Sequence, residues 1–174
     1  MGGLKEKLMS ISKRRSLPEG TSLIHPHIFL ATWCGSGLLR PASGTWGSMA
    51  AIPFGYSISF IAGQWALALA AFLLYWVGVA AAAHYERKSG QKDNQAIVID
   101  EVVGMWIAAI PAGTNWDLWL AAFFLFRVFD VYKPWPASFF QNRKKEGVDV
   151  MMDDVVAGFY AMLGTATMAL GYMQ

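Results

Sequence analysis

The chain has 174 residues, of which 55% are hydrophobic and only 15% are charged, whereas an ordinary soluble domain carries about 25% charged residues. No charged residue lies between Pro41 and Ala83, a run about twice as long as the roughly 20 apolar residues of one membrane-spanning helix. The net charge of +2, with basic residues that do not alternate with aromatic ones, argues against nucleic-acid binding. The single cysteine, Cys34, excludes an intrachain disulfide and a cysteine metal cluster.

Basic residues are concentrated in three segments separated by apolar ones. None occurs around Gly63, around Gly113 or after Lys145. Most of them lie instead at Lys5, Lys7, Lys13, Arg14, Arg15, Arg87, Lys88, Lys92, Lys133, Arg143, Lys144 and Lys145. The positive-inside rule then predicts a cytoplasmic N-terminus and cytoplasmic basic segments. Because residues 1–20 lack the apolar core of a secretory signal, we expect a basic arm at 1–22 followed by one membrane domain at 23–174.

The predicted elements are helices throughout. An irregular loop rich in glycine, serine and proline, residues 24–47, precedes the first of them. Spans are then predicted at residues 46–62, 65–83, 95–110, 116–132 and 155–172. The third and fourth are short, so they can span only if their charged ends are drawn into the membrane edge by pairing. The sequence therefore predicts an all-α, polytopic membrane bundle of about five spans with an active site on its cytoplasmic side.

Acidic residues occur at the ends of apolar stretches. The pairs Asp100-Glu101 and Asp153-Asp154 each open such a stretch, and Asp130 lies at the end of another. A carboxylate there is costly unless a cation, a hydrogen bond or a proton compensates it. Acids at helix starts also compensate the helix dipole, but that does not explain why the acidic pair occurs twice where a third acid is also available. Because ligands that are all oxygens favour a hard cation, the pattern predicts a shared Mg²⁺.

The segment FRVFDVYKPWP places Arg127, Asp130 and Lys133 at intervals of three along a helix. A guanidinium and an ammonium beside a carboxylate suit a phosphate group together with a metal. A helix-end salt bridge with a lysine reaching toward the interface explains the same motif equally well.

The segment SGTWGS, residues 43–48, offers two glycines, hydroxyl groups and backbone N–H groups just before a predicted helix. Such a segment can cradle an anion at a helix N-terminus. An ordinary helix cap with glycine turns is the alternative interpretation.

Two functions of other kinds fit parts of the sequence. Cys34 and Arg40 have the C-x5-R spacing of cysteine-dependent phosphatases, although no strand-helix unit is predicted around them. A small ion-coupled transporter would also place acids in a membrane bundle, but near the middle of its spans. The acids here lie at the predicted cytoplasmic ends, which favours chemistry on a lipid headgroup.

Four motifs together point to a family. GSGLLRPASGTWGSMAAIP, IVIDEVVG, FRVFDVYKPWP and MMDDVVAG, in this order and spacing, resemble the phosphatidylglycerophosphatase A family of bacterial membrane enzymes over about residues 28–161. The resemblance implies a Mg²⁺-dependent hydrolase that converts phosphatidylglycerophosphate to phosphatidylglycerol in phospholipid biosynthesis. It also implies a multi-pass inner-membrane protein with a cytoplasmic site. The positions matching the family pattern are Gly44, Thr45, Gly47, Ser48, Asp100, Glu101, Arg127, Asp130, Lys133, Pro134, Asp153 and Asp154.

The expected mechanism assigns roles to these positions. Asp100, Asp130 and one or both of Asp153 and Asp154 would hold Mg²⁺, which acts as a Lewis acid. Glu101 or a remaining aspartate would be the general base, and a covalent aspartyl-phosphate route stays open. Arg127, Lys133 and the residues of the first motif, Gly44, Thr45, Gly47 and Ser48, would bind the phosphate of the phospholipid. The sequence carries no signal for an oligomeric state.

Overall fold

In a computed structural model of the chain, residues 15, 17–18, 20–92, 94–133, 135 and 147–172 are described. Over these residues the chain forms six α-helices and two short 3₁₀ turns, without a β-strand, which confirms the all-α class. The helices are α1 (Pro26–Ala31), α2 (Ser43–Ala62), α3 (Gln64–Ser89), α4 (Ile99–Ala109), α5 (Trp116–Tyr132) and α6 (Val148–Tyr172), and the turns are Ser36–Leu38 and Ile110–Ala112. Most of the predicted basic arm at 1–22, and Pro134 with the basic residues Arg143, Lys144 and Lys145, lie outside the described residues.

The helices predicted from the sequence are present, with shifted ends. Helix α3 continues to Ser89, six residues past its predicted end, because Tyr85 and Glu86 are buried and continue its inward face. It stops at Gly90, whose φ of 66° is left-handed and favours glycine as the C-cap. Helix α4 starts later than predicted, at Ile99, because the preceding Val98 N–H donates to Ala31 O (2.8 Å) instead of continuing a helix.

Helix α4 forms the centre of the bundle and packs against α2, α3, α5 and α6. After Asp100 and Glu101 in its first turn it is apolar on all sides, and it is buried along nearly its whole length, as a core helix should be. Its closest neighbour is α6: a Cβ atom added to Gly158 would lie 2.6 Å from Gly104 O. The two glycines therefore let the backbones approach in a way that larger residues would prevent.

Two helices are long and apolar enough to cross a membrane by length and composition, at Gln64–Ser89 and Val150–Gly171. Helix α4 has 11 residues and reaches only about 16 Å, roughly half the hydrocarbon thickness of a bilayer. The lengths and compositions of the helices therefore do not confirm the prediction of five complete spans.

Successive long helices run in opposite directions, so their ends alternate. The start of α2 meets the start of α4, where Gly44 lies against Glu101. Just past the middle of α3, Gly78 packs against Ile99 of α4 and Met151 of α6. One end of the bundle thus gathers the first turns of α2, α4 and α6, the second half of α3 and the last turns of α5. All the acidic residues singled out in the sequence lie at this end.

Candidate active site

Three carboxylates converge where α4 meets α6. Asp100, Glu101 and Asp154 each offer one oxygen, and these oxygens all lie within 4.8 Å of one another. Asp100 and Asp154 are buried, and Glu101 Oε2 is a buried oxygen without a hydrogen-bond partner among the described residues. Carboxylates held this close and away from water repel one another unless a cation or a proton neutralises them. The cluster could therefore hold a hard divalent cation, whose ligands would all be oxygens.

The residues of this cluster are not the same as the metal ligands predicted from the sequence. Glu101, expected from the sequence as a general base, offers an oxygen to the cluster. Asp130 lies beside Asp154 as a neighbour of the cluster. Asp153 forms an ion pair with Lys133 instead. The cause is helical geometry: adjacent residues on a helix point about 100° apart, so Asp153 and Asp154 face different neighbours.

Arg127 and Asp130 form the pair that their spacing predicted. Arg127 Nη1 lies 2.5 Å from Asp130 Oδ2, and both side chains are mostly buried. The same Nη1 atom is buried without a partner in hydrogen-bonding geometry, although its charge is matched by Asp130. A guanidinium in this state has donor capacity left for an anion placed beside the carboxylates.

Lys133 turns inward instead of reaching toward an interface. Its ammonium donates a hydrogen bond to Asp153 Oδ2 at the point where α5 ends. Burial by itself lowers the pKa of Lys133, but the hydrogen bond to Asp153 and the charges of Asp153, Asp154 and Asp130 outweigh burial and raise that pKa. The side chain is therefore a permanent cation at the edge of the carboxylate cluster.

The first turn of α2 closes another side of the cluster. A Cβ atom added to Gly44 would lie 2.3 Å from Glu101 Oε1 and 3.1 Å from Arg127 Nη1. No side chain caps this turn, and Thr45 N already donates to Ala42 O (3.1 Å), so the N–H groups of Ser43 and Gly44 are the ones left for an anion. Thr45 is half-buried at the next position.

Gly47 and Ser48 support this turn from inside the fold. A Cβ on Gly47 would lie 2.7 Å from Val98 Cβ, so glycine allows α2 to approach the segment before α4. Ser48 is fully buried, and its hydroxyl donates to Gly44 O at 2.8 Å. Both therefore fix the turn, and neither contacts the carboxylate cluster directly.

Sequence reasoning missed a hydrogen-bond network that holds the start of α2. Arg15 Nη1 donates to Ser43 Oγ (2.9 Å), and Ser43 Oγ donates to Gln95 O (2.6 Å). The Arg15 guanidinium also bonds the backbone and side-chain oxygens of Gln95. In the sequence Arg15 is one of several basic residues before the first helix, and nothing distinguishes it from its neighbours.

A second missed residue, Glu86, holds the start of α6. Its carboxylate is buried in the last turn of α3 and accepts a hydrogen bond from Gly147 N (3.2 Å). Gly147 has a left-handed φ of 69°, and a Cβ there would lie 2.5 Å from Val79 O. The contact therefore fixes the entry into the helix that carries Asp153 and Asp154. The isolated acid in a basic run, YERK, was the available signal.

Cys34 does not have the environment of a catalytic thiolate. It lies in the turn between α1 and the first 3₁₀ turn, with a left-handed φ of 59°. Burial raises the pKa of its thiol, whereas cysteine-dependent phosphatases require a lowered one. The C-x5-R interpretation therefore has no support in the local structure.

Comparison with known proteins identifies the family. Residues 29–169, which contain the whole carboxylate cluster, match the family model described as phosphatidylglycerophosphatase A. A Haemophilus influenzae phosphatidylglycerophosphatase A is 39% identical over 82% of this chain and 88% of its own length. The Escherichia coli protein of the same name is 40% identical over 77% of this chain and 78% of its own length.

A relative from Bacteroides thetaiotaomicron carries a different name. It is 38% identical over 78% of this chain and 89% of its own length, and is provisionally named a phosphatidylinositol-3-phosphatase. No solved structure matches the chain. The family match and the two relatives named phosphatidylglycerophosphatase A confirm the resemblance carried by the four sequence motifs, and the chain belongs to the phosphatidylglycerophosphatase A family of phosphatases.

Proposed function

We propose that the protein is a Mg²⁺-dependent phosphatase that hydrolyses phosphatidylglycerophosphate to phosphatidylglycerol and inorganic phosphate. The observation that carries the proposal is the convergence of Asp100, Glu101 and Asp154 beside two cations, Arg127 and Lys133. A phosphomonoester needs positive charge around its oxygens as the bond to the leaving group breaks, and this arrangement supplies it.

We propose that the bundle is embedded in a bacterial inner membrane as a multi-pass protein with the carboxylate end and the N-terminus toward the cytoplasm. Large apolar side chains cover its outer faces, among them Phe60 (70% exposed), Trp65 (77%), Phe72 (60%) and Phe124 (65%). Exposed apolar surface of this extent supports the proposal of a lipid environment. The distribution of basic residues supports the orientation.

The carboxylate cluster fits Mg²⁺ on the chemistry of its donors. Asp100, Glu101 and Asp154 would hold the ion, and the unpartnered Glu101 Oε2 is a ligand that hydrogen bonding leaves open. Bound there, Mg²⁺ would supply Lewis-acid polarisation of the phosphoryl group. The acids lie at one end of the bundle, which suits a headgroup and argues against transport through the middle of the membrane.

The cations and the first turn of α2 would bind the phosphate. Arg127, with free donor capacity, and Lys133, held by Asp153, lie on the side of the cluster formed by α5. The uncapped N–H groups of Ser43 and Gly44 lie beside the same cluster at the start of α2. Together they would orient the phosphomonoester and stabilise the negative charge that develops on its oxygens in the transition state.

Proton transfer from the attacking water needs a carboxylate outside the metal cluster. Asp130 lies beside Asp154 and pairs with Arg127, so it would stand between the phosphate and the cluster. We assign it the role of general base, with Asp153 as the alternative. An aspartate acting as nucleophile would instead leave a phosphorylated enzyme, which can be trapped by acid quenching.

The test is phosphate release by the purified protein. Phosphatidylglycerophosphate and phosphatidylinositol 3-phosphate are presented separately in detergent micelles, each with Mg²⁺ and with EDTA. We expect release from phosphatidylglycerophosphate that needs Mg²⁺. Greater release from the inositol lipid would assign the activity named for the Bacteroides relative, and equal release with EDTA would refute the metal site. Asp130→Asn should retain Mg²⁺ binding while losing turnover by about 10²-fold or more.

A further inference from the structure

An apolar groove runs along the bundle between α3, α4 and α6. It encloses about 460 Å³ and its surface is almost entirely hydrophobic. Ala68 and Ala71 line it from α3, and Val103 and Ile107 from α4. Phe72 and Trp76 of α3 and Phe159 of α6 form its rims, with exposed fractions of 60%, 59% and 51%.

One end of the groove lies beside the carboxylate cluster. On α4, Val103 follows Asp100 by one helical turn on the same side of the helix. On α6, the lining residues Met152 and Val155 flank Asp153 and Asp154.

The groove then extends away from the acids. Its lining residues Val103 and Ile107 of α4 and Ile110 of the following 3₁₀ turn extend over about 10 Å. On α3, which runs in the opposite direction, Gly78 is level with Ile99 at the acidic end, so Ala68 lies about 15 Å away toward the far end.

We propose that one acyl chain of the lipid substrate lies in this groove while its phosphate reaches the carboxylate cluster. The assignment rests on the proposed function. The occupant is a substrate chain because the groove begins within one turn of Asp100 and leads from there along the bundle. A lipid whose headgroup lies among those acids can therefore extend its tail along this groove.

The groove would act mainly by orientation. Lipid tails in a bilayer are as apolar as leucine side chains, so moving a chain from the bilayer into the groove changes its solvation little. The direction in which the chain leaves the glycerol, however, decides where the phosphate lies relative to the cluster. Small displacements of a reacting group are costly in rate. A side chain that shortens the groove should therefore impair long-chain substrates selectively.

Ala68→Phe tests this, because Ala68 is a half-buried lining residue at the far end of the groove. The matched control is Ala80→Phe, the same change at an exposed position of the same helix that does not line the groove. We expect Ala68→Phe to lower kcat/KM for long-chain phosphatidylglycerophosphate about tenfold or more by misplacing the headgroup. Turnover of the short-chain lipid and of the deacylated headgroup should stay near wild type, and Ala80→Phe should change none of them.

Crosslinking of the wild-type protein gives a readout that does not need turnover. Phosphatidylglycerophosphate with a diazirine near the end of one acyl chain should label the groove segments of α3 and α6 in micelles. An excess of unlabelled phosphatidylglycerophosphate, but not of phosphatidylcholine with the same chains, should prevent the labelling. Labelling that the competitor does not prevent, or crosslinks to a second copy of the chain, would overturn the proposal. An equal loss of kcat/KM for long-chain and deacylated substrates in Ala68→Phe would overturn it too. Specific labelling without phosphate release would instead refute the proposed reaction and leave the groove assignment standing.

Discussion

Gly44 and Glu101 approach each other so closely that a Cβ atom on Gly44 would lie 2.3 Å from Glu101 Oε1. The backbone of the first turn of α2 is therefore packed directly against a carboxylate of the cluster. Because the obstructing atom is the end of a flexible side chain, a methyl group at Gly44 can be accommodated by moving Glu101 out of place. The fold would then survive while the cluster would not.

Gly44→Ala should accordingly lower kcat/KM about 10²-fold, since displacement of a group that positions the reaction has that order of effect. The melting temperature in detergent should change little. Gly171→Ala is the control, because it is also a helical glycine and nothing lies within 4 Å of its added Cβ. Full activity in Gly44→Ala would show that Glu101 can move without consequence.

Lys133 should act through its charge. Its φ of 45° is left-handed, so alanine at this position would combine backbone strain with loss of the ammonium. Lys133→Asn separates the two effects because asparagine tolerates this conformation. We expect Lys133→Asn to reduce turnover about 10²-fold, as lost charge stabilisation does.

Lys133→Arg keeps the charge but replaces a compact ammonium with a planar fork, so it should retain part of the activity. The specific activities of the purified variants, compared at equal protein concentration, show whether turnover needs the charge of Lys133. Wild-type activity in Lys133→Asn would remove Lys133 from the site.

Cys34→Ser and chelation of divalent cations should have opposite results. The raised pKa of Cys34 leaves its thiol protonated near neutral pH, so the serine variant should release phosphate at the wild-type rate. EDTA should abolish release, and added Mg²⁺ should restore it. Inactivity of Cys34→Ser, together with activity that survives EDTA, would instead indicate thiolate chemistry.

The helices were predictable because their signals are local. Long apolar runs, Gly63 between α2 and α3, and Pro111 after α4 mark them in the sequence. The end of α3 lies beyond its predicted position because His84 and the charged residues after it are typical of a loop, whereas Tyr85 and Glu86 are buried by tertiary contacts. Burial of a charged residue by distant partners cannot be inferred from spacing along the chain.

The acids of the site were also predictable, but their partners were not. Placing Asp100, Asp130 and Asp154 at one end of the bundle required only the alternation of helix directions. Which member of an adjacent pair faces which neighbour depends on the rotation of each helix about its axis, so Glu101 joins the cluster while Asp153 pairs with Lys133. The contact of Arg15 with Gln95 spans 80 residues and has no local signal.

The carboxylate cluster should make the melting temperature of the protein depend on Mg²⁺. Loss of one carboxylate should raise the melting temperature in EDTA and reduce the stabilisation that Mg²⁺ gives. Oxygens of Asp100, Glu101 and Asp154 lie within 4.8 Å of one another, so without a divalent cation the three carboxylates repel one another to the extent that they are ionised. Glu101→Gln removes one charge while conserving shape, so in EDTA its melting temperature should exceed that of the wild type. With Mg²⁺ at about a hundred times its Kd, binding should stabilise the wild type by about 2.7 kcal/mol, whereas the variant should gain much less.

Asp117→Asn is the matched control, since Asp117 is an exposed acid at the start of α5, at the opposite end of that helix from Asp130. It should respond to Mg²⁺ as the wild type does. Thermal unfolding in the same detergent, with EDTA and across a Mg²⁺ titration, measures all three proteins. If Glu101→Gln is less stable than the wild type in EDTA and gains as much from Mg²⁺, the cluster is held by hydrogen bonds and protons. A shared cation would then have no part in it, because neutralising one ligand would not have altered the response.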